Sequence, residues 1–231
     1  MIMENIRAKQ DLLEYLCALL PYMHSFLNEM LPQVSCNWFD DCVYGALQGN
    51  QTYGNTAFDS LSDLDVYATL KVIDKNWNRM KLRNQNKFPN KKIISEVQDI
   101  RDSVAHHYNR SFNDDKKTII KFAQWLGTDL EDALIKMHEK EKGRILNVIA
   151  DKVLIPALNC ESLDNETKES VQRTYDRLKQ KTRAREIIDF FDNALEGKHG
   201  KDVHDGLMNA GLKYGFEEIN ELVHSIYYDE E

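Results

Sequence analysis

The stretch Leu64-Asp65-Val66-Tyr67-Ala68-Thr69-Leu70-Lys71-Val72-Ile73-Asp74-Lys75-Asn76-Trp77-Asn78-Arg79-Met80 decides the fold. Its apolar side chains at Leu64, Tyr67, Leu70, Ile73, Trp77 and Met80 recur every three or four residues. That spacing winds onto one side of an α-helix and onto both sides of a strand, so it predicts a helix of about five turns. The same signature extends outward in both directions. Upstream, Leu12, Leu13, Leu16, Leu19 and Leu20 lead to Pro21, then Tyr22, Phe26 and Met30 continue to Pro32, predicting two short helices or one kinked helix. Phe39, Val43 and Leu47 suggest another, and GNQTYGNTAFDSLSD (49–63) is a loop in which Ser62 or Asp63 caps the helix that follows.

Downstream of a basic connection, Ile93, Ile94, Val97, Ile100, Val104 and Tyr108 form the next stripe. Asn113 or Asp114 is placed to cap a helix with Ile119, Ile120, Ala123 and Leu126 on its apolar face and Phe122 at its margin, stopped by Gly127. Thr128 or Asp129 opens a helix through Leu134 and on toward Leu158, with a break at Gly143 or Pro156. The polar run NCESLDNET (159–167) reads as a linker or exposed corner, after which Asp164 or Asn165 caps a charged helix from Glu166 to Leu195. GKHGKDVHDG (197–206) is a turn region, followed by shorter helices around Leu207 and from Phe216 to Tyr227. The expected architecture is all-α: a helical domain over 1–158 and a helical C-terminal extension over 159–231.

Composition agrees. Ten glycines and four prolines in 231 residues are too few turn formers for a sandwich or barrel of short strands. A 42% hydrophobic content with 29% charge excludes collagenous, low-complexity and wholly disordered classes. No apolar run reaches the ~18 residues of a membrane span, and MIMENIRAKQ lacks a secretory signature, so a cytoplasmic protein without membrane contact is expected. Cys17, Cys36, Cys42 and Cys160 form no CxxC pair and read as free thiols. The formal charge of −8 is unevenly spread: eight basic residues face Asp74 alone between Lys71 and Lys92, whereas Phe216–Glu231 carries six acidic residues and no Lys or Arg. This suggests a basic working edge and an acidic tail that covers it.

The strongest chemical signal is Arg101-Asp102-Ser103-Val104-Ala105-His106. On a helix Asp102 and His106 share a face, where the carboxylate would hold and orient the imidazole. Arg101 and His106 lie about 140° and ~7.5 Å apart, too far to converge on one small atom from a single chain. Two copies packed about a symmetry axis would bring two arginines and two histidines to one phosphate. Such a group suits RNA cleavage without a metal ion, His moving the 2′-hydroxyl proton and Arg stabilising the charged phosphorane. The same spacing also fits an Asp–His helix cap with an exposed Arg. The basic run Lys75, Arg79, Lys81, Arg83, Lys87, Lys91 and Lys92 leads into this helix as candidate phosphate contacts, with His107 beside the site. Tyr108 falls on the apolar stripe and reads as core, as does Trp77. No Walker loop, GxSxG elbow or two-His metalloprotease helix occurs, and His199, Asp202, His204 and Asp205 are only a weak metal candidate. No cofactor or metal is expected.

The run from Leu64 to Trp77 with its Asp74-Lys75-Asn76-Trp77 end, followed by Ile100-Arg101-Asp102-Ser103-Val104-Ala105-His106, resembles the HEPN superfamily (higher eukaryotes and prokaryotes nucleotide-binding), and within it the Swt-one-type branch. The resemblance covers roughly residues 10–127. It implies a helical up-and-down bundle that dimerises, with Arg101 and His106 as the catalytic pair of an endoribonuclease and Asp102 at the polar position after the Arg. Two departures stand out: Asp102 where this branch usually has Asn, and Val104 where Trp is common. The partners implied are single-stranded RNA, a second copy of the chain, and an antitoxin or defence-system protein. Family members that have lost the pair serve as RNA- or nucleotide-binding or assembly modules, and this chain keeps it.

Overall fold

The computed structural model describes residues 2–182 apart from 50–52, 54–56, 86, 87, 107, 108 and 162, together with 186, 187, 189 and 193. The described residues contain helices and no strand. Contacts divide the chain into two compact units, Met1–Ile135 and Lys136–Glu231. The polar run 159–167 falls inside the second.

In the first unit α1 (Ile2–Met30) packs on α3 (Val66–Arg83), α4 (Lys92–Ala105) and α5 (Phe112–Trp125). α1 is one continuous helix through Pro21. A proline inside a helix costs about 3 kcal/mol. Leu12, Leu16, Leu19, Met23 and Leu27 on either side of it are fully buried. At about 1.5–3 kcal/mol each, their burial outweighs that cost. The Phe39, Val43, Leu47 segment forms a π-helical turn, Phe39–Tyr44, running into the short α2 (Gly45–Leu47).

The α3 cap is Asp65, whose Oδ1 accepts the Ala68 N–H at 2.7 Å. Asp63, expected in that role, is engaged one step earlier: Ser60 and Asp63 form the capping box of a separate 3-10 turn, Leu61–Asp63. The Asp63 carboxylate accepts the backbone N–H groups of Ser60 and Asp59, which hold its pKa below the usual value. α3 buries Leu70, Ile73, Trp77 and Met80 as its stripe requires. Trp77 meets Phe88 edge-on at 5.0 Å and Trp125 at 5.2 Å between ring centroids, confirming it as core.

α5 starts after Ser111, not at Asn113 or Asp114, and Phe122 is fully buried at the centre of its apolar face, not at the margin. It stops as expected at Gly127 (φ 80°), with Thr128 N–H donating to the Ala123 carbonyl and Gly127 N–H to that of Gln124. Asp129 then caps α6 (Leu130–Ile149) by accepting the Glu131 N–H at 2.8 Å.

The second unit begins within α6, which passes Gly143 unbroken and continues through a π-helical turn, Ala150–Leu154, into α7 (Ile155–Asn159). α8 runs from Asn165 to Lys179, so the charged helix ends well before Leu195. Among the described residues of the second unit, Ile145, Ile149, Leu154, Ala157, Val171, Leu178 and Ile187 are buried hydrophobics, and Lys142 Nζ caps the Lys179 carbonyl at 2.6 Å. The segments around Leu207 and from Phe216 to Tyr227, the acidic tail and the 197–206 turn lie outside the described residues. Among the described residues no helix is long and apolar enough to cross a membrane.

Two polar groups inside the first unit yield predictions. Buried Asn76 donates through Nδ2 to the carbonyls of Cys42 (2.8 Å) and Val72 (2.9 Å), fastening α3 to the π-helical turn. Asn76→Leu keeps volume but strands the Cys42 carbonyl, so stability should fall by about 1–3 kcal/mol, read as a lower thermal midpoint. Half-buried His24 holds its Nε2 3.0 Å from Thr69 Oγ1, and burial pushes its pKa below 6.5 against the weaker pull of Leu64 and Asp63. Because the folded state disfavours the charged ring, stability is full above pH 6.5 and declines as pH falls below it. Melting curves at pH 7.5 and pH 5 should show a smaller difference for His24→Gln than for the wild type.

Candidate active site

Ile94, Val97, Ile100 and Val104 bury one face of α4, which turns Arg101 and Asp102 away from the core. The helix ends at Ala105. His106 closes it, donating its N–H to the Asp102 carbonyl at 3.1 Å, and then leaves helical geometry at φ −110°, ψ −96°. Two ties hold the chain here. Lys9, from α1, donates through Nζ to the His106 carbonyl at 3.0 Å. Four residues on, Arg110 Nε lies 3.0 and 3.1 Å from the two carboxylate oxygens of Asp115, and Nη2 lies 2.9 Å from Oδ1. Asp115 is buried in the first turn of α5.

The Arg101 guanidinium lies over the Tyr67 ring, its Cζ 4.7 Å from the ring centroid, and Nη1 reaches Asp102 Oδ1 at 3.3 Å. Tyr67 stacks on Tyr53 with centroids 5.9 Å apart and planes 21° apart. The Tyr53 hydroxyl donates to Asp65 Oδ2 at 2.6 Å. Burial first, then the bond to Asp65, raises the Tyr53 pKa well above the ordinary phenol value, so the hydroxyl stays protonated across the neutral range. Lys71 Nζ stands 5.8 Å from the Tyr67 ring centroid.

Arg101, Asp102 and His106 are thus brought to one end of α4, but the carboxylate is not where the helical spacing put it. No hydrogen bond joins Asp102 to the His106 ring, although the His106 N–H still donates to the Asp102 carbonyl at the helix end. Asp102 pairs with Arg101 instead.

The basic run is gathered elsewhere. Asp74 pairs with Lys91 at 2.8 Å while Tyr67 faces Arg101, so α3 and α4 run antiparallel. Lys81 and Arg83, exposed in the last turn of α3, and Lys91 and Lys92 at the start of α4 therefore occupy the opposite end of this hairpin. Nine residues of helix, about 13 Å, separate Lys92 from Arg101. Lys75 is exposed, Arg79 donates to Asn76 Oδ1 at 3.3 Å, and Lys92 pairs with Glu96 at 3.1 Å. Lys87, His107 and Tyr108 lie outside the described residues, as do His199, Asp202, His204 and Asp205. Among the described residues no group of three or more His, Cys, Asp or Glu is placed to hold a metal ion.

The site also contains residues the sequence reading passed over: Lys9, Tyr53, Asp65 and Tyr67. Tyr67 lies on the apolar stripe of α3, where its spacing matches that of the core positions. Lys9 and Tyr53 arrive from distant segments and carry no local signal.

A family model described as Swt1-like HEPN matches residues 13–128, half of the chain. The chain belongs to this family. The matched region begins in α1, ends at the Gly127 stop and contains Tyr67, Arg101, Asp102 and His106, so the HEPN region coincides with the helices that build the site. No curated protein and no solved structure gives a significant match.

The Arg110–Asp115 pair anchors the segment that follows His106. Asp115→Asn leaves a buried neutral amide against an arginine whose side chain is one-third exposed, and should cost about 2 kcal/mol. Trypsin should then cut after Arg110 faster than in the wild type, measured by mass spectrometry of the first fragments.

Proposed function

We propose that this protein is an endoribonuclease that cuts single-stranded RNA through Arg101 and His106, without a metal ion, at a site completed by a second copy of the chain. The observation that carries this reading is an exposed His106 at the end of α4 together with Arg101 in the same last turns of that helix, its guanidinium 4.7 Å from the centroid of the Tyr67 ring. Membership of the HEPN family supports it. One His106 takes the proton of the 2′-hydroxyl. The 2′-oxygen attacks phosphorus, and the His106 of the second copy protonates the departing 5′-oxygen, leaving a cyclic phosphate. Arg101 stabilises the charge that builds on the phosphorane oxygens. Unpaired RNA is favoured because the 2′-oxygen must swing in line with the leaving oxygen, which a stacked duplex prevents. Exposed Lys75, Arg79, Lys81, Arg83 and Lys92 would hold the strand at a distance from the cut. We place the enzyme in the cytoplasm as a toxin or antiviral-defence effector, restrained by an antitoxin or defence-system partner.

A second reading, a binding or assembly module that does not cut, is favoured by one observation: Asp102 occupies an edge of Arg101 that a phosphate would need. The two part on one assay, purified protein with labelled RNA in chelator, scored for cyclic phosphate ends. His106→Ala and Arg101→Ala should each lose about 10²–10⁴ in rate. Asp102→Asn removes the competing charge and should cut at least as fast as the wild type. DNA, lacking the 2′-hydroxyl, should be inert. Cutting that survives His106→Ala, or that appears only on adding metal, overturns the mechanism. RNA binding with no cutting by either the wild type or Asp102→Asn establishes the second reading. A strict monomer at micromolar concentration in sedimentation counts against the shared site.

A further inference from the structure

We infer that Tyr67, braced by Tyr53, is the positioning residue for Arg101, holding the guanidinium over its ring without consuming the N–H donors that a phosphate would need. The inference rests on the ribonuclease reading above and names a further residue for that same site.

A guanidinium carries five N–H donors, all in its plane. A carboxylate orients it by consuming some of them. An aromatic face orients it without consuming any, since the attraction acts through the positive face of the cation and the negative face of the ring. Arg101 has both kinds of neighbour, and they are unequal. Tyr67 lies 4.7 Å beneath the group, whereas Asp102 engages Nη1 at 3.3 Å, long for a charge-assisted bond. The ring is therefore the neighbour that holds the group, and the donor edge is shared only loosely with Asp102.

Tyr67 can do this because it is itself held. It sits in the first turn of α3, where its neighbours Val66, Ala68, Thr69 and Leu70 are buried. Its ring stacks on Tyr53 at 21°. Tyr53 is in turn tied by its hydroxyl to Asp65, and the other oxygen of Asp65 caps α3. The order runs from helix cap to Tyr53 to Tyr67 to Arg101, each step a direct contact. Arginine has a long side chain with many rotamers, so a surface that preselects one of them spends its effect at the step where charge develops.

The experiment compares wild type, Tyr67→Phe, Tyr67→Leu and Arg101→Ala at matched thermal stability, with single-stranded RNA in chelator, reading kcat and KM separately. Tyr67→Leu should lower kcat about tenfold with KM little changed, and Tyr67→Phe, which keeps the ring face, should restore it. Side-chain protons of Arg101 should show ring-current upfield shifts by NMR in the wild type and in Tyr67→Phe, and lose them in Tyr67→Leu. A wild-type rate in Tyr67→Leu, alongside an inactive Arg101→Ala, overturns this inference and leaves the ribonuclease reading standing. Arg101 protons at the shifts of a solvated arginine in the wild type overturn it as well. Absence of cleavage by the wild type overturns the ribonuclease reading, and this inference with it.

Discussion

The packing of Trp77 against Phe88 and Trp125 is the constraint on which the first unit depends. Phe26 adds α1 to the group, its ring 4.7 Å from Trp125, so three helices and the connection between α3 and α4 meet at one aromatic cluster. Trp77 is 1% exposed, and the residues just before it serve the same end: Asn76 fastens α3 to the π-helical turn and Asp74 fastens it to Lys91 at the entrance to α4. These ties fix the register of α3 against α4. Ten residues back along α3 from Trp77, that register sets Tyr67 opposite Arg101. The Asp-Lys-Asn-Trp motif is thus a structural device whose functional effect is felt at the far end of the hairpin.

The electrostatics of the site rest on competition for one cation. The Tyr67 face and the Asp102 carboxylate both attract the Arg101 guanidinium, but only the carboxylate adds negative charge where a phosphate would approach. An acidic residue at this position lowers the effective charge of the arginine while no phosphate is bound. Asp65 is engaged otherwise: the protonated Tyr53 hydroxyl donates to one carboxylate oxygen and the Ala68 N–H to the other, so the cap of α3 is hydrogen-bonded at both oxygens.

Much of the fold was legible because it is written in local periodicity. The stripes from Leu64, from Ile93 and from Ile119 each became a helix, and Gly127 stops α5 through the positive φ that glycine tolerates. What could not be read depended on competition between neighbours. α1 passes through Pro21 because burial on both sides outweighs one lost bond, and Asp65 caps α3 because Asp63 is already used by the 3-10 turn. For the site, Arg101 and His106 were found from their spacing and the family resemblance. The position of His106 beyond the helix was hidden, since Tyr108 extends the apolar stripe past the point where α4 ends. Tyr67 was hidden in plain view: a tyrosine on a buried stripe reads as core whether its outer face is covered by another helix or by an arginine.

The two ties on either side of the His106 segment make chain length itself a determinant of the site. Lys9 grips the carbonyl of His106, and Asp115 grips Arg110, so two positions four residues apart in the sequence are tied to two different helices, α1 and α5. A substitution between these two positions alters one side chain, but an inserted or deleted residue changes the number of residues between two fixed ties and so acts on His106 itself. An insertion, which surface loops between helices ordinarily absorb without effect, therefore bears directly on the site at this connection, and the count of residues from Arg101 to Arg110 acts as a ruler.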